Sequence, residues 1–142
     1  MAKRHSRNET ADVVGALQLI VGIGTDIVAV QRMRQMFLRH GPRTLEKILA
    51  PSERVECNQL ADPAVFLAKR FAAKEALAKA LGRGLRTPLL LPAIAIKHHD
   101  SGQPYFELDA NAAHLLDKLH TVHLSISDER EFALAFVILE KQ

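Results

Sequence analysis

The first strong pattern along the chain is an apolar run, Leu19, Ile20, Val21, Gly22, Ile23 and Gly24, rich in branched side chains. Such a run predicts a buried strand, ended by the turn Gly24-Thr25-Asp26. Residues 30–38 then place Val30, Met33 and Phe37 among polar neighbours, with Arg32, Arg34 and Arg39 outside, which predicts an amphipathic helix with a basic face. His40-Gly41-Pro42 stops it. Short helices are expected over residues 44–49 and, opened by Pro51-Ser52-Glu53, to about residue 60. Asp62-Pro63 has the capping and first-turn chemistry of a new helix. Every residue from 64 to 81 is a reasonable helix former, and Gly82-Arg83-Gly84 ends the stretch. This is the longest element and the spine of the predicted fold.

The second half changes period. Residues 93–97 and 104–108 flank Asp100-Ser101-Gly102, a hairpin signature. Asp109 caps a predicted helix over residues 110–119. In residues 121–127, Val122, Leu124 and Ile126 fall on one face and Thr121, His123, Ser125 and Ser127 on the other. Residues 132–139 are apolar on both faces, which predicts a central strand. The order of elements defines an α+β fold, a small, mostly antiparallel sheet packed on a long central helix. Residues 1–18 are expected to be a flexible extension and residues 19–142 a single domain.

Composition agrees with one globular domain: 142 residues, 48% apolar and 25% charged. It excludes a mainly disordered chain, a collagen and a coiled coil. The net charge of +3 suits an acidic protein, a phosphorylated ligand or nucleic acid without choosing among them. Trp is absent and aromatics make up 5%, so the usual base-stacking platform is missing and no nucleic acid is expected as partner. The single cysteine, Cys57, can form neither an internal disulfide nor a zinc cluster by itself and is expected as a small half-buried apolar residue. Lys3, Arg4 and Arg7 followed by the apolar stretch 13–23 mimic a secretory signal, but Glu9 and Asp12 lie just before that stretch and no small-x-small cleavage site follows it. No apolar run reaches the ~18 residues of a membrane span. The expectation is a cytoplasmic protein without membrane partners.

Three places carry candidate chemistry. On the spine helix, at about 100° per residue, Lys69, Arg70 and Lys74 lie apart from Glu75 and Lys79. The first group is expected to face solvent or an acidic partner. Glu75 and Lys79 sit among Ala68, Phe71, Ala72 and Ala76, and two readings stand: an i,i+4 salt bridge worth ~0.2–0.5 kcal/mol, or a pocket wall with a carboxylate for a metal or proton and an amine for a phosphate. Asp26 is either the N-cap of a helix starting near Val28 or a strand-end ligand. If Asp26 and Glu75 converge, they make an all-oxygen site suited to Mg²⁺, with Lys79 and the Gly82-Arg83-Gly84 turn near its phosphates. Gly22 and Gly24 lack the third glycine of a dinucleotide fingerprint. His123, Ser125 and Ser127 are either a polar sheet face or the seat of a Ser-His pair, with no Gly-x-Ser-x-Gly elbow to support the latter. His98-His99 and His120/His123 lack zinc-site spacing.

In order along the chain, GIGTDI (22–27), FLAKRFAAKEALAKA (66–80) with Gly82-x-Gly84, SGQPY (101–105) and HLSISDE (123–129) resemble the holo-acyl-carrier-protein synthase family of 4′-phosphopantetheinyl transferases. The resemblance spans about residues 19–140, and the long helix motif carries most of it. It implies Mg²⁺-dependent transfer of the 4′-phosphopantetheine arm from coenzyme A to a serine of an apo acyl carrier protein, with adenosine 3′,5′-bisphosphate as the other product. It implies Asp26 and Glu75 as metal ligands and Lys79 at the coenzyme A phosphates, these three forming the catalytic set. Gly82, Gly84, His123 and Ser125 are implied as further coenzyme A contacts. Arg32 is implied to face the carrier, and Arg34 and Arg39 on the same basic face would help steer it. The short members resemble homotrimers with active sites between subunits, where His123, Ser125, Ser127 and Asp128 would form the neighbouring wall. Three departures stand out: residues 1–18 have no counterpart in short members, Leu81 replaces a frequent Phe, and Asp128-Glu129 stands where some members carry His-Thr. The alternative is a non-catalytic oligomeric module that binds a nucleotide or an acidic partner protein.

Overall fold

The computed structural model describes residues 17–142, so the expected N-terminal extension lies almost wholly outside the described residues. The first strand, β1 (Leu19–Ala29), continues past the expected turn at Asp26. Thr25, Asp26 and Ile27 pair antiparallel with Phe136, Ala135 and Leu134. The branched side chains from Thr25 to Val28 favour this extension. Helix α1 (Val30–His40) starts where its apolar pattern predicts, two residues beyond the start near Val28 that an Asp26 cap would give, and its cap position is Ala29. Asp26 is not an N-cap. The Val30 N–H is instead taken by the Glu131 carbonyl at 2.8 Å.

Two short helices follow, α2 (Pro42–Ile48) and α3 (Pro51–Cys57), the second ending three residues before the expected limit. The spine is α4 (Ala64–Ala80). Asp62 Oδ1 accepts a hydrogen bond from the Ala64 N–H at 3.0 Å, the capping role its sequence position predicts. The hairpin is β2 (Ile94–His98) with β3 (Pro104–Leu108). Residues 110–119 are not the expected helix but hold a single 3-10 turn, Ala113–Leu116. The Asp109 carboxylate takes the Ala112 N–H at 3.0 Å and its carbonyl the Ala113 N–H at 2.9 Å, the bonds of a helix N-cap, yet the segment goes no further than this one turn.

The last two strands are β4 (Thr121–Asp128) and β5 (Phe132–Lys141). The main sheet has the order β1-β5-β4 with antiparallel pairs, and β5 is central as its pattern predicts. One face of it is core: Ala133, Ala135, Val137 and Leu139 are buried against α4. The other face is open in the single chain, with Ile23, Ile27, Phe132 and Leu134 exposed.

Sheet and spine meet backbone to backbone. A Cβ at Gly24 would fall well inside van der Waals contact of the Ala76 carbonyl oxygen, and one at Gly22 would meet the Ala80 carbonyl oxygen in the same way. Helix α4 is covered on almost every side, and eleven of its seventeen residues are buried. That burial overturns one expectation. Arg70 and Lys74 face neither solvent nor a partner; Lys69 alone of that group stays partly exposed, 3.9 Å from Asp128.

Lys74 is buried because its ammonium is fully partnered. It donates to the Ile48 carbonyl at 2.7 Å, the Leu91 carbonyl at 3.1 Å and Glu53 Oε1 at 2.6 Å. Glu53 in turn accepts from the N–H groups of Ala50 (2.9 Å) and Ile96 (3.2 Å). Arg70 Nε lies 3.2 Å from Glu53 Oε2, a charge contact rather than an aligned hydrogen bond, and the guanidinium carbon sits 4.5 Å from the Phe66 ring centre. Burial pulls the Lys74 ammonium below its ordinary pKa, with Glu53 opposing that pull. The cluster ties α2, α3, α4 and β2 together around one carboxylate. Cys57 beside it is fully buried rather than half-buried, and burial raises its thiol pKa.

Removing one partner of a buried ion pair strands the other. Lys74→Met is expected to cost about 3–5 kcal/mol in urea denaturation. Lys74→Met combined with Glu53→Gln should recover part of that loss; a double variant as unstable as the sum of the singles would show that the two side chains act independently.

Candidate active site

Asp26 reaches the site from β1, and Glu75 and Lys79 from adjacent turns of α4. The glycine contact sets their approach: Gly24 lies against Ala76, so Asp26, two residues on along the same strand face, comes to the edge of α4 at Glu75 and Lys79. Lys79 Nζ donates to Asp26 Oδ1 at 3.0 Å and to the Thr25 carbonyl at 2.9 Å. Lys79 thus takes Asp26 as its partner rather than Glu75, and the i,i+4 salt bridge is not what this pair forms.

Glu75 has a raised pKa. Partial burial is the main cause and the Asp26 carboxylate adds to it, while Lys79 and Arg32 pull the other way. The two carboxylates therefore share one electrostatic neighbourhood. Among the described residues no three His, Cys, Asp or Glu side chains cluster as a complete metal cage. Two carboxylates with open coordination fit a hard divalent cation that draws its remaining ligands from water and substrate phosphate. They do not fit a thiolate or imidazole metal.

The glycine turn after α4 is built for a tight chain reversal. Gly82 and Gly84 have φ of 70° and 69°, which favours glycine, and a Cβ at either would meet open space. Gly82 N–H bonds the Lys79 carbonyl at 3.0 Å, so the turn is attached directly to the residue that carries the site's amine.

The expected basic face of α1 divides. Arg32 and Arg39 lie about 20° apart around the helix, while Arg34 is turned about 200° from Arg32. Arg34 is held by Asp62 at 3.0 Å and Gln31 at 2.9 Å. Arg32 lies over the Phe71 ring, 5.2 Å from its centre, at the margin of the carboxylate pair. Phe71 as its support was not singled out in the sequence, although the Phe71-to-Glu75 spacing of one helical turn places the two on a common face.

His123 and Ser125 are not brought to Asp26 within one chain. They alternate onto the open face of the sheet, where Ser125 stands opposite Phe136 and Phe136 opposite Thr25. His123 Nε2 lies 2.8 Å from Glu140 Oε2.

These features place the chain by comparison with known proteins. A family model described as 4′-phosphopantetheinyl transferase superfamily matches residues 22–137, and the chain belongs to that superfamily. Within it the chain is similar to holo-[acyl-carrier-protein] synthases. It is 56% identical over 123 residues to the one from Dechloromonas aromatica, covering 86% of this chain and 98% of the relative. It is 52% identical to that of Laribacter hongkongensis, over 86% of this chain and 99% of the relative. The crystal structure of the synthase from Neisseria meningitidis superposes with a TM-score of 0.82 at 42% identity, covering 87% of this chain and all of that one. The synthase from Bacillus anthracis, solved in complex with CoA (3′,5′-ADP), gives 0.73 at 37% identity over 87% of this chain and 98% of that one.

The electrostatics predict signed shifts. Asp26→Asn should lower the Glu75 pKa while leaving it above an ordinary glutamate, because burial remains; Arg32→Gln should raise it further. Carboxyl ¹³C titration of Glu75 reads both, and an Asp26→Asn shift in the upward direction would contradict the shared neighbourhood.

Proposed function

We propose that this chain transfers the 4′-phosphopantetheine group of coenzyme A to a serine of an apo acyl carrier protein, releasing adenosine 3′,5′-bisphosphate. The observation that carries this is the convergence of Asp26, Glu75 and Lys79 beside the Gly82-Arg83-Gly84 turn. Asp26 and Glu75 are the residues to hold Mg²⁺, which when bound supplies neutralisation of the pyrophosphate and of the leaving bisphosphate. The carrier serine Oγ forms a bond to the β-phosphorus of coenzyme A. The bond to the bridging oxygen breaks, and the bisphosphate leaves with that electron pair. The serine proton passes to Glu75, directly or through a water that the carboxylate holds. Lys79 is placed to bind phosphate, and the left-handed turn at Gly82 and Gly84 leaves open space beside it.

Acyl carrier proteins are acidic, and Arg32 and Arg39 on one side of α1 suit such a partner. Arg34, tied to Asp62, contributes charge nearby rather than the same face. The open sheet face supports a homotrimer. Ile23, Ile27, Phe132 and Leu134 form an apolar surface of the kind that a symmetric assembly covers. In such an assembly His123 and Ser125 of a neighbouring copy complete the coenzyme A wall. Among the described residues no helix is long and apolar enough to cross a membrane. The one thiol, Cys57, is buried and free, which suits the reducing cytoplasm.

The decisive assay combines the protein with apo carrier, coenzyme A and Mg²⁺ and weighs the carrier by mass spectrometry. A gain of one phosphopantetheinyl group that a chelator abolishes is expected. Glu75→Ala should fold yet lose at least about a thousandfold in rate; full activity at ordinary Mg²⁺ would sink the site assignment. Tight carrier binding with no mass gain would instead favour a non-catalytic binding module.

Light scattering should return three chain masses in solution. Leu134→Glu, on the open face, should yield single chains that have lost transfer. A monomeric wild-type protein with full activity would remove the role given to His123 and Ser125.

A further inference from the structure

Lys79 holds an oxygen that the proposed cation also needs. Its ammonium is 3.0 Å from Asp26 Oδ1 and is braced by the Thr25 carbonyl at 2.9 Å, so the contact is a two-point seat rather than a single surface pair. A divalent ion on either Asp26 oxygen would stand within a few ångströms of that ammonium, where two positive charges repel strongly. Lys79 is half-exposed while Asp26 is mostly covered, so the lysine is the partner free to move. A phosphoanhydride arriving beside Gly82 would offer the ammonium a stronger anionic partner than a lone carboxylate.

We propose that Lys79 makes cation binding depend on phosphate binding: it occupies Asp26 until the coenzyme A pyrophosphate draws it away, and the divalent ion then takes the carboxylate. This rests on the reading of Asp26 and Glu75 as the cation site. Its consequence is heterotropic coupling through one side chain, with the reciprocal effect that a bound cation tightens coenzyme A. Lys79 thereby acts on the metal as well as on the phosphate, and its loss has opposite signs for the two ligands.

Mn²⁺ serves as a spectroscopic probe of the site. Its affinity is measured by electron paramagnetic resonance on full-length protein, with and without coenzyme A and with no carrier present. Lys79→Met should bind Mn²⁺ about three- to fivefold more tightly than wild type without coenzyme A, the weight of one half-exposed ion pair. It should bind coenzyme A more weakly, and coenzyme A should enhance Mn²⁺ binding less than in wild type. Circular dichroism confirms that the variant is folded. Unchanged or weaker Mn²⁺ binding by folded Lys79→Met overturns the coupling while leaving the cation site intact. Asp26→Asn, measured beside it, should lose Mn²⁺ binding; if it binds like wild type, Asp26 is not a ligand, and the site reading falls together with the coupling.

Discussion

The contact between β1 and α4 is the constraint on which the remaining structure depends. Two backbones approach so closely at Gly24 and Ala76 that no side chain fits between them. The approach fixes the strand's depth along the helix and its rotation about its own axis. Asp26 then has one place to go, the edge of α4 where Glu75 and Lys79 emerge. A site made from two elements far apart in sequence gains its precision from a contact that contains no functional group.

Around the far side of α4 the problem is solved by charge rather than by close backbone packing. Glu53 is a buried carboxylate satisfied from four directions by Lys74, Arg70 and two backbone N–H groups. Such a cluster adds little net stability compared with an apolar core, but it fixes the geometry of the segments it joins. Lys74 and Glu75 are sequence neighbours with opposite assignments. One points inward to clamp α2, α3 and β2, and the next points outward to the site. The helix therefore couples the anchoring of its back to the aim of its front.

Much of this was legible in the residues, and the failures have physical causes. Period and turn chemistry located the strands, the hairpin, α4 and the central place of β5. Asp26, Glu75 and Lys79 stood out as a strand end and a charged pair on an apolar helix face, but pattern left a cap and a salt bridge equally open, and the family resemblance was what joined the three into one set. Angular position on α4 separated Arg70 and Lys74 from Glu75 correctly, but charge alone suggested solvent for them. Their partner Glu53 lies on another helix, and nothing local announces that a carboxylate from elsewhere will meet them. The end of β1 was misplaced because Gly24-Thr25-Asp26 has turn composition, whereas pairing with β5 holds the segment extended. The helix expected over residues 110–119 stops after a single 3-10 turn although Asp109 makes the capping bonds its position predicts, so a good cap alone did not carry a helix there. The split of the α1 arginines follows from helix geometry once Asp62 is known to claim Arg34.

The pairing of β1 with β5 also bears on how the protein is made. Asp26 stands opposite Ala135, so the strand that carries the first site residue is synthesised long before the strand that holds it in place. Closing so large a loop is slow compared with forming α4 or the β2–β3 hairpin. During translation the helix bearing Glu75 and Lys79 can leave the ribosome and fold while β1 still lacks its ladder. Assembly of the Asp26, Glu75 and Lys79 cluster is therefore a late event of biosynthesis, set by the emergence of β5 rather than by the appearance of the three residues themselves.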